Sequence, residues 1–132
     1  MKKIFVNGTF DVVHVGHLKL LEFAKSLGTH LLVMIDSDER VKKLKGTSRP
    51  INTEYERVTL LKSLKWVDEV CVFNSDEELD RGIQAYSPDI MVKGSDYAGK
   101  PIIGASHCKS IIFYDRINDY SSTKKIQDIV NR

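Results

Sequence analysis

"GTFDVVHVGHLKLLEFAKSLG", residues 8–28, decides the fold. A short apolar run, Lys3–Val6 (KIFV), ends just before it. From His17 to Leu27 the apolar residues Leu18, Leu20, Leu21, Ala24 and Leu27 recur at helical spacing, with Lys19, Glu22 and Ser26 on another face. Gly28 follows as the expected C-cap. The stretch therefore reads as a strand handing over to a helix, with His14 and His17 at the junction, one helical turn apart around Gly16. Helix N-termini present free N–H groups and a partial positive charge, which favours phosphate. Gly16 lets a ligand or a second backbone come close. The competing reading is that the histidines only cap or pack the turn.

Working outward, further apolar runs at Leu31–Ile35, Glu69–Phe73, Ile90–Val92 and Ile111–Tyr114 are continuous rather than alternating. Such runs predict parallel strands buried on both faces. Helical patterns separate them. Thr53-Glu54-Tyr55-Glu56 is a capping box opening a helix to about Leu64, and Ser75-Asp76-Glu77-Glu78 is a second, opening a helix to about Tyr86. Ser121 or Ser122 would cap a last helix through Val130. The order predicts an α/β, Rossmann-like, doubly wound parallel sheet of five strands with helices on both faces. Ligands in such sheets bind outside the carboxyl ends of the strands. Residues 42–52 and 93–110 read as long loops on that side.

Composition bounds the function. A chain of 132 residues predicts one domain over 1–132. A net charge of +2 is too mild for nucleic acid or an anionic membrane as partner. The apolar run after Met1-Lys2-Lys3 is too short for a signal peptide, and no run is long enough to span a membrane. Cys71 and Cys108 are far apart and lack CxxC spacing, which suits a reducing cytoplasm. His107 and Cys108 have no further ligands at metal spacing, so no protein-held metal is expected.

"GTFDVVHVGH", residues 8–17, resembles the G-x-F-D-x-x-H-x-G-H signature of the cytidylyltransferase-like nucleotidyltransferases. "LKGTSRPINTEYER" (44–57), "PDIMVKGSDY" (88–97) and "DYSSTKKI" (119–126) resemble later blocks of that family in the expected order. The resemblance implies transfer of a nucleoside monophosphate from a nucleoside triphosphate to a phosphorylated small molecule, with release of pyrophosphate. The residues suit that chemistry. The attacking group is already an anionic phosphate oxygen, so positioning and charge neutralisation are needed rather than a protein nucleophile. Mg²⁺ is expected to arrive on the triphosphate oxygens.

By resemblance, His14 and His17 contact the triphosphate and stabilise the transition state, and the turn N–H contact maps to Thr9 and Phe10. One lysine of Lys42, Lys43 and Lys45, best Lys45, closes over the phosphates, unless the run is simply a solvated face; Arg49 could do likewise. Arg57 maps to an arginine that contacts substrate phosphate, or else forms an exposed salt bridge with Glu54 or Glu56. Gly94 permits a tight turn, and Asp96 accepts from a sugar hydroxyl or makes an Asx turn. Ser121, Ser122 and Thr123 would form a second phosphate cradle, joined by Arg116, although one serine could simply cap a helix. Asp119 and Tyr120 replace the glycine-containing turn common in relatives. Asp11, Asp38 and Tyr97 are candidates for the acceptor; Asp36, beside Asp38 at the carboxyl end of the second strand, could also reach it, although both could equally cap the next short helix. A homodimer is also implied.

Two branches fit. Residues 44–52, 88–97 and the following "IIGAS" resemble heptose 1-phosphate adenylyltransferases, which favours ATP and a sugar 1-phosphate. The opening motif and Arg116 resemble glycerol-3-phosphate cytidylyltransferase. A non-catalytic nucleotide sensor is the alternative of a different class. Class I aminoacyl-tRNA synthetases share the HxGH element, but this chain has no room for a tRNA-binding domain.

Overall fold

The computed structural model describes residues 1–115. Five strands, β1 (Lys3–Gly8), β2 (His30–Asp36), β3 (Glu69–Phe73), β4 (Ile90–Gly94) and β5 (Ser110–Tyr114), form one sheet in the order β3-β2-β1-β4-β5. Every pairing is parallel. Four α-helices accompany them: α1 (Val15–Ser26), α2 (Asp38–Lys45), α3 (Glu54–Lys62) and α4 (Asp76–Tyr86). This is the expected α/β Rossmann-like architecture. The strand order reverses at β1, between β2 and β4, which is where such sheets open a crevice.

Alternate residues of the central strands feed two cores. Ile4, Val6, Leu31, Val33 and Ile35 pack with Leu21 and Ala24 of α1 and Leu61 of α3. Phe5, Leu32, Met34 and Met91 pack on the other face with Leu79 and Ile83 of α4. Double coverage explains the continuous apolar runs. The outer strands depart from that expectation. Cys71 is exposed on β3, and Phe113 on β5 is 40% exposed, because an edge strand lacks a neighbour on one side.

Two capping expectations resolve differently. The Thr53 box forms in full: Glu56 N–H donates to Thr53 Oγ1 at 3.2 Å and Thr53 N–H to Glu56 Oε1 at 2.9 Å. The Ser75 box is half formed, since Glu78 N–H donates to Ser75 Oγ but Glu78 Oε1 accepts from Asn74 N–H. Gly28 is needed for space rather than for backbone freedom. Leu27 is the C-cap, and a Cβ on Gly28 would lie 2.7 Å from the Lys2 carbonyl oxygen.

The expected loop over 42–52 begins as helix. Ser37 caps α2 by accepting from Arg40 N–H at 3.1 Å, so neither Asp36 nor Asp38 is the cap. Helix α2 buries only Val41 and starts with Asp38-Glu39. It ends in lysines, a charge order that favours the helix dipole although the apolar pattern is faint. Residues 93–110 hold two 3₁₀ turns, Ser95–Tyr97 and Ala105–His107. His107 Nε2 lies 3.2 Å from Asp80 Oδ1, and no metal-holding cluster occurs among the described residues.

Candidate active site

The turn from β1 into α1 carries unusual backbone. Phe10 and Val12 have φ of 53° and 51°, in the left-handed region that β-branched residues avoid. Such conformations persist only where surrounding bonds enforce them. Here the enforcing bonds come from the segment that leads into α3. The Asp11 carboxylate accepts from Ile51 N–H and Asn52 N–H, both at 2.8 Å. Val12 N–H donates to Asn52 Oδ1 at 3.2 Å.

Arg57 completes the brace and corrects both readings of it. It is 1% exposed and pairs with neither Glu54 nor Glu56. Its Nη1 donates to the carbonyl oxygens of Thr9 at 3.0 Å and Asp36 at 2.7 Å. Its Nε donates to the Asn52 carbonyl at 3.0 Å, and Nη2 to Asp38 Oδ1 at 2.8 Å. The guanidinium is thus occupied beneath the turn and does not line the cavity, so it does not offer the expected phosphate contact. Asp38 pairs with it through Oδ1 and, unlike Asp36, does not line the cavity. Asp11 reaches the cavity wall, but it is 3% exposed and both its oxygens are engaged.

His14 and His17 close the turn. Gly16 N–H donates to His14 Nδ1 at 3.0 Å, and His14 N–H donates to His17 Nδ1 at 3.2 Å. The rings stack with centroids 4.0 Å apart. A ring nitrogen that accepts an N–H carries no proton, so each neutral imidazole bears its proton on Nε2. Nδ1 thus holds the helix start, as the capping reading expects, and Nε2 is left as the donor of each neutral ring. Phe10 packs against His17 with centroids 5.2 Å apart.

These groups line a cavity of about 590 Å³ at the carboxyl ends of the strands. Thr9, Phe10 and Gly16 form the wall below the histidines. Lys45 and Arg49 line it from the β2 side, and neither side chain is in an ion pair among the described residues. Gly94, Asp96 and Tyr97 line it from the β4 side. Gly94 has φ −64°, so it makes no tight turn of the expected kind; its missing Cβ leaves room for the Asp96 carboxylate, 2.6 Å from where that atom would stand. Arg116, Ser121, Ser122 and Thr123 lie outside the described residues.

The sequence reading missed Lys93. It ends the apolar run of β4 and projects into the cavity, where Nζ donates to Asn7 Oδ1 at 2.9 Å and lies 4.6 Å from the Tyr97 ring centroid. Burial pushes its ammonium below the usual lysine range, against the pull of the Asp36 and Asp96 carboxylates. The available signal was a lysine closing an apolar strand at the ligand-binding edge of the sheet. Asp36, an acceptor candidate, forms an i,i+4 pair at 3.3 Å with Arg40, which the sequence reading did not single out, on the same wall.

The chain is similar to known proteins. A family model described as cytidylyltransferase-like matches residues 5–128. The chain is 44% identical over 131 residues, 99% of its length, to the bifunctional protein HldE of Campylobacter jejuni subsp. doylei. It is 43% identical over 124 residues, 94% of its length, to the bifunctional protein HldE of Nitratiruptor sp.. These matches cover 28% and 27% of the two relatives, so the chain spans little more than a quarter of their length. Among solved structures, a lipopolysaccharide core biosynthesis protein from Thermoplasma volcanium superposes with a TM-score of 0.69 at 22% identity. That match covers 89% of this chain and 99% of the other, and it shows the shared fold.

Proposed function

The chain belongs to the cytidylyltransferase-like family and is a nucleotidyltransferase, and from that premise we propose that it transfers an adenylyl group from ATP to a heptose 1-phosphate, giving ADP-heptose and pyrophosphate. The observation that carries this reading is the histidine pair at the start of α1, which lines the cavity and whose Nδ1 atoms accept backbone N–H groups, so that each neutral ring has Nε2 as its donor. The choice of ATP and a sugar phosphate is supported by residues 44–52 and 88–97, which resemble the heptose 1-phosphate branch, and by the HldE relatives.

The sugar-phosphate oxygen attacks the α-phosphorus; that P–O bond forms as the bond to the β-phosphate oxygen breaks and pyrophosphate leaves. The His14 and His17 Nε2–H groups and the N-terminus of α1 stabilise charge that grows on the phosphoryl oxygens. Lys45 and Arg49 neutralise the β- and γ-phosphates. Arg57 and Asp11 touch no substrate; they fix the turn that aims these donors. Asp96 and Tyr97 contact the sugar. Mg²⁺ commonly takes one or two carboxylates plus phosphate oxygens. The ion would be held mainly by the triphosphate oxygens, with Asp96 on the cavity wall as the carboxylate that fits beside them, and would supply further charge neutralisation.

We also propose a homodimer, supported by large exposed apolar side chains at Ile51, Tyr55 and Leu60 in and before α3. No helix among the described residues is long and apolar enough to cross a membrane. The free thiols of Cys71 and Cys108 support placement in a reducing cytoplasm.

The test is pyrophosphate release with Mg²⁺, crossing ATP and CTP against heptose 1-phosphate and glycerol 3-phosphate. Release with ATP and the heptose phosphate is expected. Release only with CTP and glycerol 3-phosphate would replace this substrate pair with that of the cytidylyltransferase branch.

A further inference from the structure

We propose that Lys93 is the anchor for the phosphate of the acceptor, and so sets the requirement that the acceptor be phosphorylated; this rests on the sugar-phosphate reading above. Lys93 stands at the carboxyl end of β4, the strand beside β1. Lys45 and Arg49 follow β2, the strand on the other side of β1, and the α1 N-terminus follows β1 itself. The cavity therefore has cationic groups on two opposing walls. In-line transfer brings two anionic phosphates together, and a cation on the acceptor's own side relieves part of their repulsion. The α1 N-terminus, the histidines, Lys45 and Arg49 serve the triphosphate. Lys93 is left facing the entering phosphate from the opposite side.

The surroundings of Lys93 point the same way. Its hydrogen-bond partner among the described residues is the neutral Asn7 amide at 2.9 Å, and no carboxylate forms an ion pair with it. Asp36 and Asp96 act on it only through space. A part-buried ammonium without a paired anion is costly, and a bound phosphate supplies the missing charge. The Tyr97 ring covers one side of Nζ at 4.6 Å and restricts where an anion can approach.

Two measurements on the full chain test this. Lys93→Met removes the charge at similar volume, and Lys93→Arg keeps it. Steady-state kinetics should show the KM for the sugar phosphate raised by about ten- to a hundredfold in Lys93→Met, as for loss of a bond to a charged group. The KM for ATP should stay near the wild-type value, and Lys93→Arg should recover most of the loss. A rise confined to the ATP KM would give Lys93 to the nucleotide and overturn the proposal, as would no change in either. Should Lys93→Met fail to fold, ¹³Cε-lysine NMR of the unmodified chain decides. Added inorganic phosphate should raise the Lys93 pKa with saturation. A Lys93 signal that ignores phosphate while the histidine signals move would overturn the assignment. A chain that turns over no sugar phosphate, yet whose Lys93 responds to phosphate, would remove the substrate reading and leave the phosphate site standing.

Discussion

Arg57 and Thr9 lie 48 residues apart, and Arg57 Nη1 donates to the Thr9 carbonyl oxygen across 3.0 Å. The same guanidinium nitrogen holds the Asp36 carbonyl at 2.7 Å. One buried side chain thus ties the end of β2 to the turn that carries the histidine pair. Arg57→Met would strand these carbonyls and the Asp38 carboxylate. Leaving a buried hydrogen-bonding group unsatisfied costs about 1–3 kcal/mol, and water can reach the 29% exposed Asp38 carboxylate. We expect a loss of that order in chemical denaturation, with turnover falling too. Arg57→Lys should rescue little, because an ammonium cannot span the same fork. Full activity and unchanged stability in Arg57→Met would show that the turn holds its shape without the brace.

The histidine geometry separates two roles that a single alanine would blur. Asparagine at position 17 places an acceptor near the Nδ1 position and removes Nε2. His17→Asn should keep the His14 N–H bond, and with it stability near wild type, while lowering turnover by about 10²–10³, the range for loss of one transition-state donor. His17→Ala should lose both. Nucleotide affinity, measured by calorimetry, should move less than turnover in either variant. Equal losses in binding and rate would assign His17 to ground-state binding.

Lys45 and Arg49 line the cavity without ion-pair partners among the described residues, and the proposed function gives them the β- and γ-phosphates. Double substitution to alanine should raise the KM for ATP and flatten the dependence of that KM on ionic strength, since the lost attraction is screened by salt. Stability should hold, because Lys45 is exposed. An unchanged ATP KM would leave the lysine run of α2 as a solvated face.

Acid should weaken the fold through Asp68. Burial would raise its pKa, but hydrogen bonds from Lys25 at 2.5 Å and Leu31 N–H at 2.8 Å outweigh that and hold it below the model-compound value of 3.8. A depressed folded pKa means the stabilisation is complete above the unfolded value and is lost as pH falls through the folded one. Asp68→Asn should therefore lower the urea midpoint at pH 7 and shrink the difference between pH 7 and pH 3. The same pH slope in both proteins would show that Asp68 does not contribute.

Gly28 offers a test far from the chemistry, at the amino ends of the strands. A Cβ there would lie 2.7 Å from the Lys2 carbonyl oxygen and 2.8 Å from Ile4 Cδ1. Gly28→Ala should destabilise by about 1–3 kcal/mol, the usual cost of overpacking. Turnover at saturating substrate should be unaffected. A neutral result in thermal and chemical unfolding would mean that the β1 end yields easily.

The sequence by itself determined whatever depends on neighbours along the chain. Continuous apolar runs placed all five strands; for the central three the reason is that a strand covered on both faces needs apolar residues at every position, while the outer two keep the run although they are partly exposed. The Thr53–Glu56 cap and the His14–Gly16–His17 junction were legible because their bonds span three residues or fewer. Tertiary structure decided the rest. Nothing local distinguishes Arg57 from a surface arginine; its burial arises because α3 packs under a turn formed 48 residues earlier. Asp11 looked free to bind substrate until residues 51 and 52 folded against it. Lys93 became a site residue only because the order β3-β2-β1-β4-β5 sets β4 beside β1, joining positions 86 residues apart through the Asn7 amide. Local spacing fixes caps and strands through short-range sterics and burial, whereas the partners of a long polar side chain depend on which strands become neighbours.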